Sequence, residues 1–185
     1  LDVSDMPVTE FDENGVERVL LQTQGWDTWV WKGHACNYIS AGVGNTGPIV
    51  VLVHGFGAHS YHWRYTIPAL ARRGCRVYAL CMLGYGWSPK VTAPYSMEFW
   101  GEQVIDFSRE VAGSSESDKA VIAGNSIGAL AALYAASNSP ETTKGLCLLN
   151  RCVLCRVSPI PPPCLQPLVE CTTRDVVAVA SALRP

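Results

Sequence analysis

Residues 49–54 read IVVLVH, five apolar side chains in succession before the first polar one. A strand with one wet face alternates apolar and polar residues. An unbroken apolar run of strand length fits a strand covered on both faces, as in a parallel sheet with helices above and below. RVYALCML (76–83), KAVIAG (119–124) and KGLCLLN (144–150) are further runs of strand character. Stretches of helical period lie between them. HWRYTIPALARRG (62–74) places Trp63, Ile67, Leu70 and Ala71 on one face, with Gly74 as its C-terminal stop. From Met97 onward, Trp100, Val104, Phe107 and Val111 step by four, three and four behind Ser96 as N-cap. IGALAALYAAS (127–137) is an alanine-rich helix, and WDTWVWKGHACNYISAG (26–42) alternates like paired strands. The alternation predicts an α/β fold with a doubly wound, mostly parallel sheet.

Three segments follow from this pattern: an N-terminal extension (1–25), a core (26–150) and a tail of different character (151–185). The tail opens RCVLCRVSPIPPPCLQP, whose four prolines between Pro159 and Pro163 favour extended chain over helix or central strand. Within it, TTRDVVAVASALR (172–184) predicts a short helix with Thr172 and Asp175 as a capping box. At 48% hydrophobic and 16% charged, the composition is that of a folded domain. A net charge of −2 without basic runs offers no footprint for nucleic acid. No stretch reaches the roughly 18 apolar residues of a membrane span. The chain opens at Leu1 with an acidic segment that is neither a signal nor a transit peptide, so upstream sequence is expected to be missing. Cys36, Cys75, Cys81 and Cys147 are expected to be reduced and buried. Cys152, Cys155, Cys164 and Cys171 crowd the tail at a spacing that matches no zinc site, so no metal is expected.

The chemistry concentrates at Gly124-Asn125-Ser126-Ile127-Gly128, a G-x-S-x-G pattern between an apolar strand and an alanine-rich helix. Glycine two before and two after the serine removes the side chains that such a tight turn would drive together. The helix that follows points its first N–H groups at any anion forming there. The four histidines are His34, His54, His59 and His62, all upstream of Ser126. His54, in a strand-end His-Gly turn, is expected to brace its loop rather than act as base.

Together, VLVHGFGAHSYHWRYTIPALA, VYALCMLGYGWSPK and GNSIGALAALYAA followed by GLCLLN resemble the N-terminal part of the α/β-hydrolases. Within that family the resemblance is to a plastid group of pheophytinase-like, chlorophyll-dephytylating esterases. It implies a serine ester hydrolase working without metal or organic cofactor on a small apolar ester, and a chloroplast location. Ser126 would be the nucleophile. The Phe56 and Ile127 N–H groups would form the oxyanion hole, and His54, Gly55, Gly57, Gly124 and Gly128 would support the turns. An aspartate-nucleophile dehalogenase or epoxide hydrolase is disfavoured by serine at the elbow. Cys81 stands where the group usually has an aspartate, which weakens the hydrogen bonding of its loop, and Ala129 replaces a common glycine. The family's later acid and histidine have no counterpart in this chain. The expectation is therefore a hydrolase cut short or given an unrelated ending. The alternatives are an inactive hydrolase-fold protein that binds an apolar ligand or partner, and a fragment that does not fold stably.

Overall fold

The computed structural model describes residues 5–150 and 178–180. The stretch before Trp26 contains a hairpin. β1 (Thr9–Phe11) and β2 (Glu17–Val19) pair antiparallel, with Thr9 opposite Val19. Val19 is fully buried against Ile39 and Ile67, and Glu17 forms an ion pair with Arg72.

β3 (Asp27–Trp31) and β4 (His34–Ala41) form a second antiparallel hairpin. Its two-residue turn, Lys32-Gly33, takes positive φ at both positions, the twist that a tight hairpin requires. The main sheet then runs β3-β4-β6-β5-β7-β8-β9, with β5 (Ile49–Val53), β6 (Arg76–Leu80), β7 (Ala120–Asn125), β8 (Thr143–Leu149) and β9 (Ala178–Ala180). Strands β6, β5, β7 and β8 are mutually parallel, and β9 runs antiparallel to β8.

β5 shows why its sequence is apolar throughout: every residue is buried. Ile49, Val51 and Val53 pack with Trp100, Val104 and Phe107 of α2 (Met97–Glu110) and with Ala131 of α3 (Ile127–Asn138). Val50 and Leu52 face the other way, onto Ile67 and Ala71 of α1 (Thr66–Ala71). The sheet is covered on both faces, as a doubly wound fold requires. Among the described residues no helix is long and apolar enough to cross a membrane.

Three expectations need correction. The single helix over 62–74 is instead a 3-10 turn (Ser60–Trp63) followed by the short α1. A continuous helix would need the residue at 68 to donate to the Arg64 carbonyl. Pro68 has no N–H to give, and that carbonyl accepts from Val19 N at 2.9 Å. The helix over 172–184 is wrong at its centre, where β9 pairs with the edge of β8 and long-range pairing overrides a local capping signal. The rest of that stretch, the polyproline run and the four tail cysteines lie outside the described residues. Of the four core cysteines, all free thiols, Cys36 and Cys81 are buried, while Cys75, entering β6, and Cys147 are only half-buried.

The order of connections positions a site. From β5 the chain crosses through α1 to β6 on one side, then through α2 to β7 on the opposite side of β5. The strand order therefore reverses between β5 and β7, and ligand crevices in open α/β sheets lie outside the carboxyl ends of strands at such a reversal.

Candidate active site

One residue turns the chain at that reversal. β7 ends at Asn125 and α3 begins at Ile127, leaving Ser126 at φ 55° and ψ −118°, a conformation non-glycine residues rarely adopt. Its N–H donates to the Leu149 carbonyl at 2.9 Å, and its carbonyl accepts from Ala129 N at 3.0 Å. A Cβ on Gly124 would strike the Gly128 carbonyl, and one on Gly128 would strike the carbonyls of Val53 and His54. Strand, turn and the neighbouring β5 backbone touch, so no side chain fits at either place. Ser126 is half-buried, and among the described residues its hydroxyl makes no hydrogen bond.

The loop after β5 presses against this corner. A Cβ on Gly55 would lie 3.2 Å from Ser126 Cβ and from the Asn125 carbonyl oxygen. His54, wholly buried, holds the loop from beneath. Its Nε2 accepts from Met82 N at 3.0 Å, so Nδ1 carries the ring proton and donates it to the Gly55 carbonyl at 2.8 Å. Burial depresses the His54 pKa to about 4, helped by His59 and His62 and opposed by the Gly55 hydrogen bond. The ring is neutral at pH 7 and both nitrogens are engaged, so it has no lone pair for a substrate proton. The Gly55 carbonyl and the Phe56 N–H belong to one trans peptide plane and point in opposite directions. By holding the carbonyl inward, His54 turns the Phe56 N–H outward, and among the described residues nothing accepts from that N–H. Gly57 takes φ 70° as the loop turns. Ile127, the first residue of α3, has an N–H that no carbonyl of its own helix can accept.

The remaining histidines sit elsewhere. His34 pairs with Trp31 in the β3–β4 hairpin. His59 packs edge-on to Trp87 at 4.6 Å, with Nδ1 buried and unpaired among the described residues, and burial lowers its pKa. His62 lies beside Trp63, its pKa lowered by partial burial and by Arg64. Among the described residues no carboxylate is hydrogen-bonded to any histidine, and no histidine to Ser126.

Cys81 does not leave its loop loose, contrary to the expectation from its place in the pattern. Its sulfur accepts from Ser60 N at 3.3 Å and lies 3.1 Å from Ser60 Oγ. Burial raises its pKa, so it is a thiol rather than a thiolate. Ser88 Oγ donates to the Cys81 carbonyl at 2.7 Å, and buried Gln103 accepts from Leu83 N at 2.9 Å. Gln103 and Ser60 escaped sequence reasoning because each acts on a loop about twenty residues away. Asn150 escaped it too. It ends β8 at φ 45° and donates through Nδ2 to Asn125 Oδ1 at 3.3 Å. Asparagine tolerates positive φ unusually well, the one signal that would have marked it.

The sequence model of the Alpha/beta hydrolase family matches residues 50–184. The chain belongs to the α/β-hydrolase family. The chain is 33% identical to rat (Rattus norvegicus) bifunctional epoxide hydrolase 2 over 120 residues, covering 64% of the chain and 20% of that protein. It is 31% identical to the chloroplastic pheophytinase of Arabidopsis thaliana over 146 residues, covering 62% of the chain and 29% of the relative. An α/β hydrolase fold protein from Burkholderia ambifaria superposes with a TM-score of 0.62 at 24% identity, covering 83% of this chain and 52% of that one. That likeness shows the fold. The α/β-hydrolase core described here thus spans less than a third of these two curated relatives. Its geometry brings one serine hydroxyl, the loop bearing the Phe56 N–H and the N-terminus of α3, whose Ile127 N–H has no partner within the helix, to one corner of the sheet, a combination suited to stabilising negative charge beside Ser126.

Proposed function

We propose that this chain carries the nucleophile and oxyanion hole of a serine ester hydrolase. Ser126 Oγ attacks the ester carbonyl carbon, the carbonyl electron pair moves onto oxygen, and the Phe56 and Ile127 N–H groups hold the resulting oxyanion. Gly55, Gly57, Gly124 and Gly128 admit the backbone contacts this needs, and His54 aims one of the two donors. The observation that carries this reading is the left-handed Ser126 at a strand–helix corner, pressed against the loop that bears the Phe56 amide.

Serine at the elbow favours ester chemistry over the carboxylate-nucleophile chemistry expected of an epoxide hydrolase, although several epoxide hydrolases are among the relatives. A base must take the Ser126 proton. No histidine follows Ser126 in these 185 residues, and His54 is engaged at both nitrogens. We place the base and its acid in polypeptide beyond this stretch, in keeping with the small share of each relative that the chain spans. The substrate class is a carboxylic ester with an apolar group, and the likeness to pheophytinase favours a phytyl ester and a chloroplast setting. A second reading, an inactive protein that binds an apolar ligand, is favoured by the lack of any histidine after Ser126 in these 185 residues.

Turnover of a phytyl ester and of a short p-nitrophenyl ester by the natural full-length protein separates the two readings. Ester hydrolysis that falls by about 10⁴-fold or more in Ser126→Ala supports the hydrolase. Saturable binding with no turnover in either form supports the second reading.

A further inference from the structure

We propose that the side chains of Phe56 and Tyr85 form the specificity wall of this site, an aromatic surface that selects esters with an extended apolar arm over short ones. The inference rests on the assignment of Ser126 as nucleophile and adds to it the residues that read the substrate.

Two loops build the wall, one after β5 and one after β6, both at the carboxyl edge of the sheet that Ser126 shares. Phe56 is 79% exposed although it follows Gly55, whose backbone abuts Ser126. Its ring stands edge-on to Tyr85 with centroids 6.0 Å apart. Tyr85 rests edge-on against the buried His54 ring at 5.3 Å and tilted against Trp100 at 5.7 Å. Trp100 is almost fully buried, and its Nε1 donates to the Leu83 carbonyl at 3.0 Å, which fixes the floor. Tyr95 extends the line, stacked on Trp100 at 5.6 Å and 40% exposed, with its hydroxyl donating to the Val91 carbonyl at 2.7 Å.

The result is an uncharged aromatic ladder that begins at the residue after Gly55, whose backbone abuts the corner serine, and rises in three ring-to-ring steps toward the N-terminus of α2. Its rings are held from below, and Phe56 is left bare above. A carbonyl carbon bonded to Ser126 Oγ, with its oxygen on the Phe56 amide, places its apolar substituent beside the Phe56 ring. Aromatic faces held in this way favour aliphatic or aryl groups through dispersion and water release and offer nothing to a charged one.

The test uses two fluorophosphonates, ethyl and octyl, and second-order labelling rates of Ser126 in the natural full-length protein. The octyl probe is expected to react about tenfold faster or more, the scale of discrimination an apolar pocket gives. Phe56→Ser and Tyr85→Ser are each expected to pull the octyl-to-ethyl ratio several-fold toward one, while Tyr85→Phe keeps it. A ratio near one in the parent protein, or a ratio unchanged by both serine variants, overturns the wall. If neither probe labels residue 126, the nucleophile assignment falls and the wall with it; ethyl labelling without chain-length preference removes the wall alone. Thermal melting checks folding, and should Tyr85→Ser fail to fold, the exposed Phe56→Ser decides.

Discussion

His54 links stability to pH through a single buried ring. In the unfolded chain it titrates near the ordinary value of about 6.5, and in the folded protein near 4. The unfolded state therefore binds the proton first as pH falls. The ring's contribution is complete above about pH 6.5 and is lost progressively between about 6.5 and about 4. Between pH 7.5 and 4.5 the loss amounts to about 2–3 kcal/mol. Urea unfolding at those two pH values is expected to show this difference in the natural protein, with a clearly smaller one in His54→Gln. Equal pH dependence in the two proteins would mean that the ring does not lie in the dry, doubly hydrogen-bonded position described. The bracing orientation of His54 was legible, because a strand-end His-Gly turn leaves the ring little choice but the interior. The Cys81–Ser60 contact was not, since a thiol in place of a carboxylate gives no hint of which distant donor it will accept.

At the scale of elements, local chemistry fixed helix starts better than helix lengths. Ser96 accepts from Phe99 N at 3.2 Å and opens α2 where the N-cap pattern placed it. Ser96→Ala is expected to cost about 1 kcal/mol, read as a lower thermal midpoint with unchanged helical signal at low temperature. No loss of stability would show that the cap is dispensable. The strands around β5 were legible because a run apolar on both faces has few other uses. The division of 62–74 was also written in the chain, at Pro68, but it shows only once Val19 is known to take the freed Arg64 carbonyl. β9 was not legible at all: its three residues become a strand only because the edge of β8 supplies a ladder.

At the scale of the whole molecule, the fold and the corner share one cause. Crossing first to one side of β5 and then to the other puts the carboxyl ends of β5, β6 and β7 beside one another. The tightest of the three turns carries the serine, and the loop held by His54 carries the amide. The strand, turn and helix around Ser126 were readable from two glycines and an apolar run. The aromatic ladder was not, because Phe56, Tyr85, Trp100 and Tyr95 come from three separate segments with no common period.

The central proposal is geometric: a tetrahedral oxyanion formed at Ser126 Oγ would face the amides of residues 56 and 127. A crystal structure of the natural protein after reaction with a fluorophosphonate tests it most directly. Phosphorus bonded to Ser126 Oγ, with the phosphoryl oxygen about 3 Å from both the Phe56 and Ile127 nitrogens, is the predicted result. An adduct on another residue, or a phosphoryl oxygen turned away from both amides, would contradict it.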